Sequence, residues 1–269
     1  MILEGEMLRR VQLVQLEILK EIKRVCNKNE IKYFLTAGTL LGAVRHKGFI
    51  PWDDDLDIGM LKEDYDKFCE IVQEELDEKY YFQNWHNDKT FPFEIGKIRK
   101  KDTIYVEAKS NNQNVGIFVD IIVYSNAPLN AVEREKSWAK MLNIHRMLIG
   151  ISGYNPWIEN GKTDIKKRIG YFFYTLIGCI IGRKKLIEKF EQLRNNEPSG
   201  ILFYTVENEK LNLVKSEWYD NTIELPFEDG QFPCPICYDT YLNSVYGDYM
   251  TPPPEDKRKN RHQILNVKL

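Results

Sequence analysis

A chain of 269 residues, 43% hydrophobic and 29% charged, has the material for a buried core, and its composition argues against disorder. A formal net charge of −2, with basic residues only in short clusters, argues against bulk nucleic-acid binding. Five scattered cysteines, Cys26, Cys69, Cys179, Cys234 and Cys237, argue against a disulfide framework, and Cys234-Pro-Ile-Cys237 has no second CxxC with which to complete a zinc site, so both are expected as loop thiols.

The first residues are acidic and lack a signal-peptide pattern, so a cytosolic protein is expected. Residues 6–29 place Leu8, Val11, Val14, Leu16, Ile18, Leu19, Ile22 and Val25 at a spacing near 3.6, an amphipathic helix that braces a scaffold. A short strand over 31–35 then delivers Thr36-Ala37-Gly38-Thr39, a small-residue turn before a helix over 40–45. The backbone N–H groups of such a turn, with the positive end of the helix, suit a phosphate. Arg45, His46 and Lys47 add positive charge just beyond.

After a loop over 48–54, Asp53, Asp54 and Asp55 run straight into Leu56-Asp57-Ile58. In a strand over 56–60, alternation puts Asp55 and Asp57 on one face and Leu56 and Ile58 on the other. Carboxylates so crowded repel unless a cation joins them, and hard oxygen donors on a rigid edge suit Mg²⁺ or Mn²⁺ better than zinc. Trp52 either stacks on a base or sugar or packs under the loop.

Residues 62–75 predict a helix, and strands over 80–85, 93–99 and 103–107 extend a mixed sheet before 118–123. Lys97 and Arg99 flank Ile98. On a site-facing strand surface Arg99 offers a planar fork to diphosphate oxygens; otherwise it is a solvent-facing strand residue. Asp120 interrupts an apolar run, which is costly unless the acid is paired or on a metal, and the ion that joins Asp55 and Asp57 accounts for it. A helix over 131–149 follows. Residues 169–182 are nearly all apolar between basic 162–168 and Arg183-Lys184-Lys185. Fourteen residues fall short of the roughly twenty that span a bilayer, so the segment is either a core helix or one lying on an anionic membrane. A helix over 186–194, a strand over 201–206, residues 218–227 leading into a Pro-rich turn, and a helix over 238–246 ending at Gly247 complete the chain. Pro252, Pro253 and Pro254 make it wrap back, and the late cations Arg258, Arg261 and His262 either close over a ligand or form an exposed tail.

Gly38-Thr39, Asp55-Leu56-Asp57-Ile58 and Val119-Asp120-Ile121, in that order, resemble the nucleotidyltransferase superfamily pattern. The fuller text TAGTLLGAVRHKGFIPWDDDLDIG resembles the LicD family, which includes bacterial phosphorylcholine transferases and is related to fukutin-type ribitol-phosphate transferases. Tyr241-Leu242, Tyr246 to Met250, Pro252-Pro253, Arg261 and His262 extend the likeness, which covers roughly residues 5–125 and 215–265. It implies an α+β fold: a nucleotidyltransferase-like mixed sheet over 1–130, a helical insertion over 131–200 with 163–185 as its membrane-facing candidate, and a C-terminal part over 201–269 completing the active site.

The resemblance further implies transfer of a phospho-alcohol, phosphocholine first, from a CDP-linked donor to a sugar hydroxyl of a surface glycan, capsule repeat or teichoic acid precursor, with release of CMP. Asp55, Asp57 and Asp120 would hold Mg²⁺ or Mn²⁺ with help from Asp53, and Asp120 would double as general base. Gly38 and Thr39 would cradle phosphate, with Arg45, His46, Lys47, Arg99, Arg261 and His262 as donor contacts. The same acids suit a nucleotidyltransferase that releases pyrophosphate, and an inactive binding subunit could keep the fold. The released product separates the two enzymes, and metal binding sets both apart from the subunit.

Overall fold

The computed structural model describes residues 3–108, 116–159, 162–194, 196–204, 211–260 and 262–269. Helix α1 (Gly5–Lys28) buries its predicted apolar stripe, but it also buries Gln12, Gln15 and Glu21, polar side chains that periodicity does not explain. Gln12 donates to the carbonyl of Asp53 and Gln15 to that of Asp54, both at 2.9 Å, so the first helix grips the acidic loop by its backbone.

In chain order follow β1 (Phe34–Leu35), α2 (Ala37–His46), β2 (Asp57–Leu61), α3 (Lys62–Glu75), β3 (Tyr80–Gln83), β4 (Gly96–Lys100), β5 (Ile104–Glu107) and β6 (Phe118–Asn126). Strands β1-β2-β6-β4-β3 form one sheet in that order. The pair β2 and β6 is parallel and central, while β1 with β2, β4 with β6 and β3 with β4 are antiparallel. This is the mixed sheet of an α+β fold, as expected. The parallel register sets Asp57 directly opposite Asp120 and Ile58 opposite Ile121. Leu56, Ile58, Val119 and Ile121 are buried, so the hydrophobic alternation leaves the two acids together on the other face.

Next come α4 (Ala131–Ile151), the short pair β7 (Ile158–Glu159) and β8 (Lys162–Thr163), α5 (Ile165–Ile181) and α6 (Arg183–Arg194). Met141, Ile144, Leu148, Leu186, Ile187 and Phe190 make a second apolar cluster, tied to the main body through Trp85, Ala127 and Phe203. Only the inner side of α5 is covered. Its outer side leaves seven large apolar residues exposed, from Ile165 at 70% to Ile180 at 78%, so α5 is not a core helix buried on all sides.

The remainder is β9 (Ile201–Phe203), β10 (Leu213–Lys215), β11 (Thr222–Phe227), β12 (Gly230–Pro235), α7 (Tyr238–Tyr246) and β13 (Ile264–Lys268). Residues 222–235 form a hairpin where the sequence suggested only a lead-in to a turn. Prolines at 226, 233 and 235 disguise it, since a two-stranded ribbon has outward edges where a missing N–H costs nothing. Cys234 lies buried in β12 rather than in a loop, and burial pushes its thiol up to about 12. Strand β13 pairs with β5, bringing the chain's last residues back beside the acidic loop.

Candidate active site

Four carboxylates converge electrostatically where β2 meets β6. Burial pushes the Asp57 carboxyl well above the usual range, and the charges of Asp55, Asp120 and Asp53 push it further, while Lys97 pulls it down. Asp120 is raised by burial as well, against the pull of Lys97, with Glu107 and Asp55 adding to the rise. Lys97 Nζ stands 2.7 Å from Asp120 Oδ1, and the side chains are only 8% and 18% exposed. The ammonium also sits 3.5 Å from the centre of the Phe118 ring. The ammonium thus lies between the ring and the acid.

Among the described residues no three His, Cys, Asp or Glu side chains already have the geometry of an ion cage. The donor set nevertheless fits a hard divalent cation. Asp53, Asp55, Asp57 and Asp120 are oxygen donors beside Lys97, and Asp57 carries a repulsion that a cation would relieve.

Helix α2 starts at this cluster. Gly38 and Thr39 lie in its first turn rather than in a turn before it, so their N–H groups precede the helix's own acceptors. Leu40 N–H is the first to close the ladder, onto the Thr36 carbonyl at 3.0 Å. Thr39 Oγ1 accepts from Asp57 N–H at 2.8 Å, pinning the helix start to the acid strand. A Cβ at position 38 would stand 2.7 Å from Asp53 Oδ2, so glycine is what lets that carboxylate lie against the helix. Ala37 holds φ at +48°, a left-handed backbone that a non-glycine residue adopts only under constraint. The Tyr241 hydroxyl of α7 supplies it, reaching the Thr36 side chain and the Ala37 backbone.

The predicted cations divide into three groups. Arg45, His46 and Lys47 lie at the far end of α2, about 10 Å or more along the helix from Gly38. Arg45 donates to the Tyr249 carbonyl at 2.7 Å and to His46 Nε2 at 3.0 Å, while Lys47 caps the helix with its side chain on the Val44 carbonyl. The Trp52 ring joins this group, edge-on to His46 and beneath the Arg258 guanidinium. Arg99 is neither solvent-facing nor open: buried in β4, it donates to Gln83 Oε1 at 2.7 Å and to the Gly116 carbonyl at 2.8 Å. His262 is ion-paired to Asp54 at 3.0 Å. Burial opposes its protonation, but the hydrogen bond to Asp54 and the charges of Glu107, Asp55 and Asp54 outweigh it and raise His262 to about 10. Arg261 lies outside the described residues.

Two residues were missed. Lys97, the cation that meets Asp120, was visible only as the alternate of Arg99 along one strand face. Asp54, fully enclosed between His262 and the Tyr105 hydroxyl, is the structural acid of the run and ties the loop to β5 and to the end of the chain.

Residues 30–146 match the LicD/FKTN/FKRP nucleotidyltransferase domain, a span that holds α2, the four acids and Lys97. Over that span the chain is similar to a LicD-type nucleotidyltransferase domain. Over 264 residues, 95% of this chain and 96% of the relative, it is 28% identical to the lipopolysaccharide cholinephosphotransferase LicD of Haemophilus influenzae. A stretch of 34 residues, 13% of this chain and 7% of the relative, is 53% identical to the ribitol 5-phosphate transferase FKRP of Mus musculus and of Homo sapiens. An uncharacterized Rickettsia typhi protein shares 52% identity over 56 residues, 21% of this chain and 18% of that one. The LicD-type domain is thus matched across the acidic site, and the likeness to the bacterial transferase continues through the helical segment and the C-terminal part.

Proposed function

We propose that the chain is a phosphotransferase that moves a phospho-alcohol, phosphocholine first, from a CDP-linked donor to a sugar hydroxyl of a surface glycan or teichoic acid precursor, releasing CMP. The observation that carries this reading is the register of Asp57 opposite Asp120 on parallel strands, beside the open first turn of α2. The names of the relatives, a cholinephosphotransferase and a ribitol 5-phosphate transferase, support a phospho-alcohol rather than a nucleotide as the group transferred.

Asp55, Asp57 and Asp120, with Asp53, are the residues to hold Mg²⁺ or Mn²⁺, and the ion when bound supplies charge neutralisation at the diphosphate. The N–H groups of Gly38 and Thr39 bind the leaving phosphate at the positive end of α2. Thr39 Oγ1, engaged by Asp57 N–H, aligns the helix with the acid strand rather than touching ligand. Asp120 accepts the proton of the acceptor hydroxyl as its oxygen bonds to phosphorus and the phosphorus–oxygen bond to CMP breaks. Lys97 orients that carboxylate and opposes the upward push that burial gives its pKa. A nucleotide donor made in the cytosol puts the reaction there, at the inner face of the membrane where the acceptor is lipid-linked.

The test is a panel of CDP-choline, CDP-glycerol and CDP-ribitol with Mn²⁺ and a glycan acceptor, following CMP and the mass of the product. CMP together with an acceptor heavier by one phospho-alcohol supports the reading. Pyrophosphate from a nucleoside triphosphate, with no CMP from any CDP-alcohol, replaces it with nucleotidyl transfer.

A further inference from the structure

The exposed side of α5 is one continuous apolar stripe. At 100° per residue, Ile165, Ile169, Phe172, Phe173, Leu176, Ile177 and Ile180 fall within less than half of the helix circumference, each between 43% and 78% exposed. The opposite side is packed: Gly178 lies against Met147 and Ile151, and Gly150 against Thr175, so α4 and α5 approach closely through small residues. Tyr171 and Ile181 also pack on this inner side.

Basic side chains border this stripe at both ends. Lys166 and Arg168 are exposed in the first turn, and Lys184 and Lys185 just beyond Gly182. Lys184 is 91% exposed, with only a 3.9 Å approach to Glu188. Arg183 does not belong to this set. It donates to the carbonyls of Trp85, Asp88 and Phe91 and to Ser152 Oγ, and so anchors the helical segment to the body.

With 17 residues, α5 is about 25 Å long, below the roughly 30 Å of a bilayer core, and no described helix is long and apolar enough to cross a membrane. An apolar stripe ending in cations at both ends suits a surface that is apolar beneath and anionic on top. We infer that α5 lies in the plane of an anionic lipid bilayer, with Phe172, Phe173, Leu176 and Ile180 among the acyl chains and Lys166, Arg168, Lys184 and Lys185 against the headgroups. A neutral protein groove would match the stripe and leave the cations without a purpose.

Flotation of the full chain with phosphatidylcholine vesicles, with and without phosphatidylglycerol, tests this apart from catalysis. Binding is expected only when phosphatidylglycerol is present, and it should weaken as salt rises. Replacing Lys166, Arg168, Lys184 and Lys185 by Gln should lower the partition by about fivefold per cation lost. Replacing Phe172, Phe173 and Ile180 by Ser should abolish binding while circular dichroism and CMP release from soluble acceptor stay unchanged, since these side chains face outward. No binding to either vesicle overturns the inference, as does binding indifferent to both sets of substitutions. Light scattering that shows a dimer dissolved by the Ser substitutions would assign the stripe to a second copy of the chain instead.

Discussion

Lys97 and Asp120 show how much of the site depends on one buried contact. The lysine offsets part of the cost of an acid in an apolar strand, and it also lowers the pKa of Asp57. Lys97→Met removes that charge and leaves the acids unopposed. Its cost is expected at about 3 kcal/mol in urea unfolding at pH 7, within the range for breaking a buried pair, and smaller at a lower pH, because the raised Asp120 takes up a proton sooner than a free carboxylate. An equal cost at both pH values would mean that the lysine stabilises through its stem alone. At this scale the sequence was legible in part. Acids in a strand advertise themselves because burying them is costly, so Asp57 and Asp120 stood out. The roles of Asp53 and Asp54 did not, because a run of three aspartates hides which one turns inward until His262 and Tyr105 are seen on Asp54. Arg99 drew attention for its planar fork, and only the pairing with β6 gives Asp120 to Lys97.

Among the elements, α2 is where local chemistry and site meet. Its apolar residues predicted a helix from Leu40, and the structure extends it back to Ala37, because Tyr241 braces Thr36 and Ala37 from a distant part of the chain. Gly38 would ordinarily weaken a helix, by up to about 1 kcal/mol relative to alanine. Here the missing methyl makes room for the Asp53 carboxylate. Gly38→Ala should therefore leave the melting temperature equal or higher while turnover falls by ~10²-fold, the scale of a misplaced catalytic group. An unchanged kcat would show that the position of Asp53 does not matter. The helices and central strands were legible because their periods are strong. The hairpin at 222–235 was not, since its prolines mimic a loop.

At the scale of the molecule, the last third of the chain is fastened both to α2 and to the acidic loop: Tyr241 reaches the start of α2, the Tyr249 carbonyl accepts from Arg45, Glu228 accepts from Phe49 N–H, and His262 pairs with Asp54. The His262 tie has a definite pH signature. Its pKa is raised in the folded chain to about 10 from an ordinary 6.5, so its stabilisation is complete below pH 6.5 and fades as pH climbs toward 10. Thermal melts should place the native chain a few degrees above His262→Gln at pH 6, about 1 kcal/mol once partial exposure is allowed for, with the gap closing by pH 10. A constant gap would reassign the histidine to packing.

The account as a whole rests on acids from two strands sharing one divalent ion. Calorimetric titration of Mn²⁺ into the native chain and into Asp57→Asn tests it most directly, since the substitution keeps the volume and removes one charge from the crowded set. The native chain should bind Mn²⁺ and gain thermal stability from it, while Asp57→Asn, folded and at least as stable without metal, should lose affinity and turnover by ~10²-fold or more. Equal Mn²⁺ affinity in the two proteins would contradict the shared-ion site.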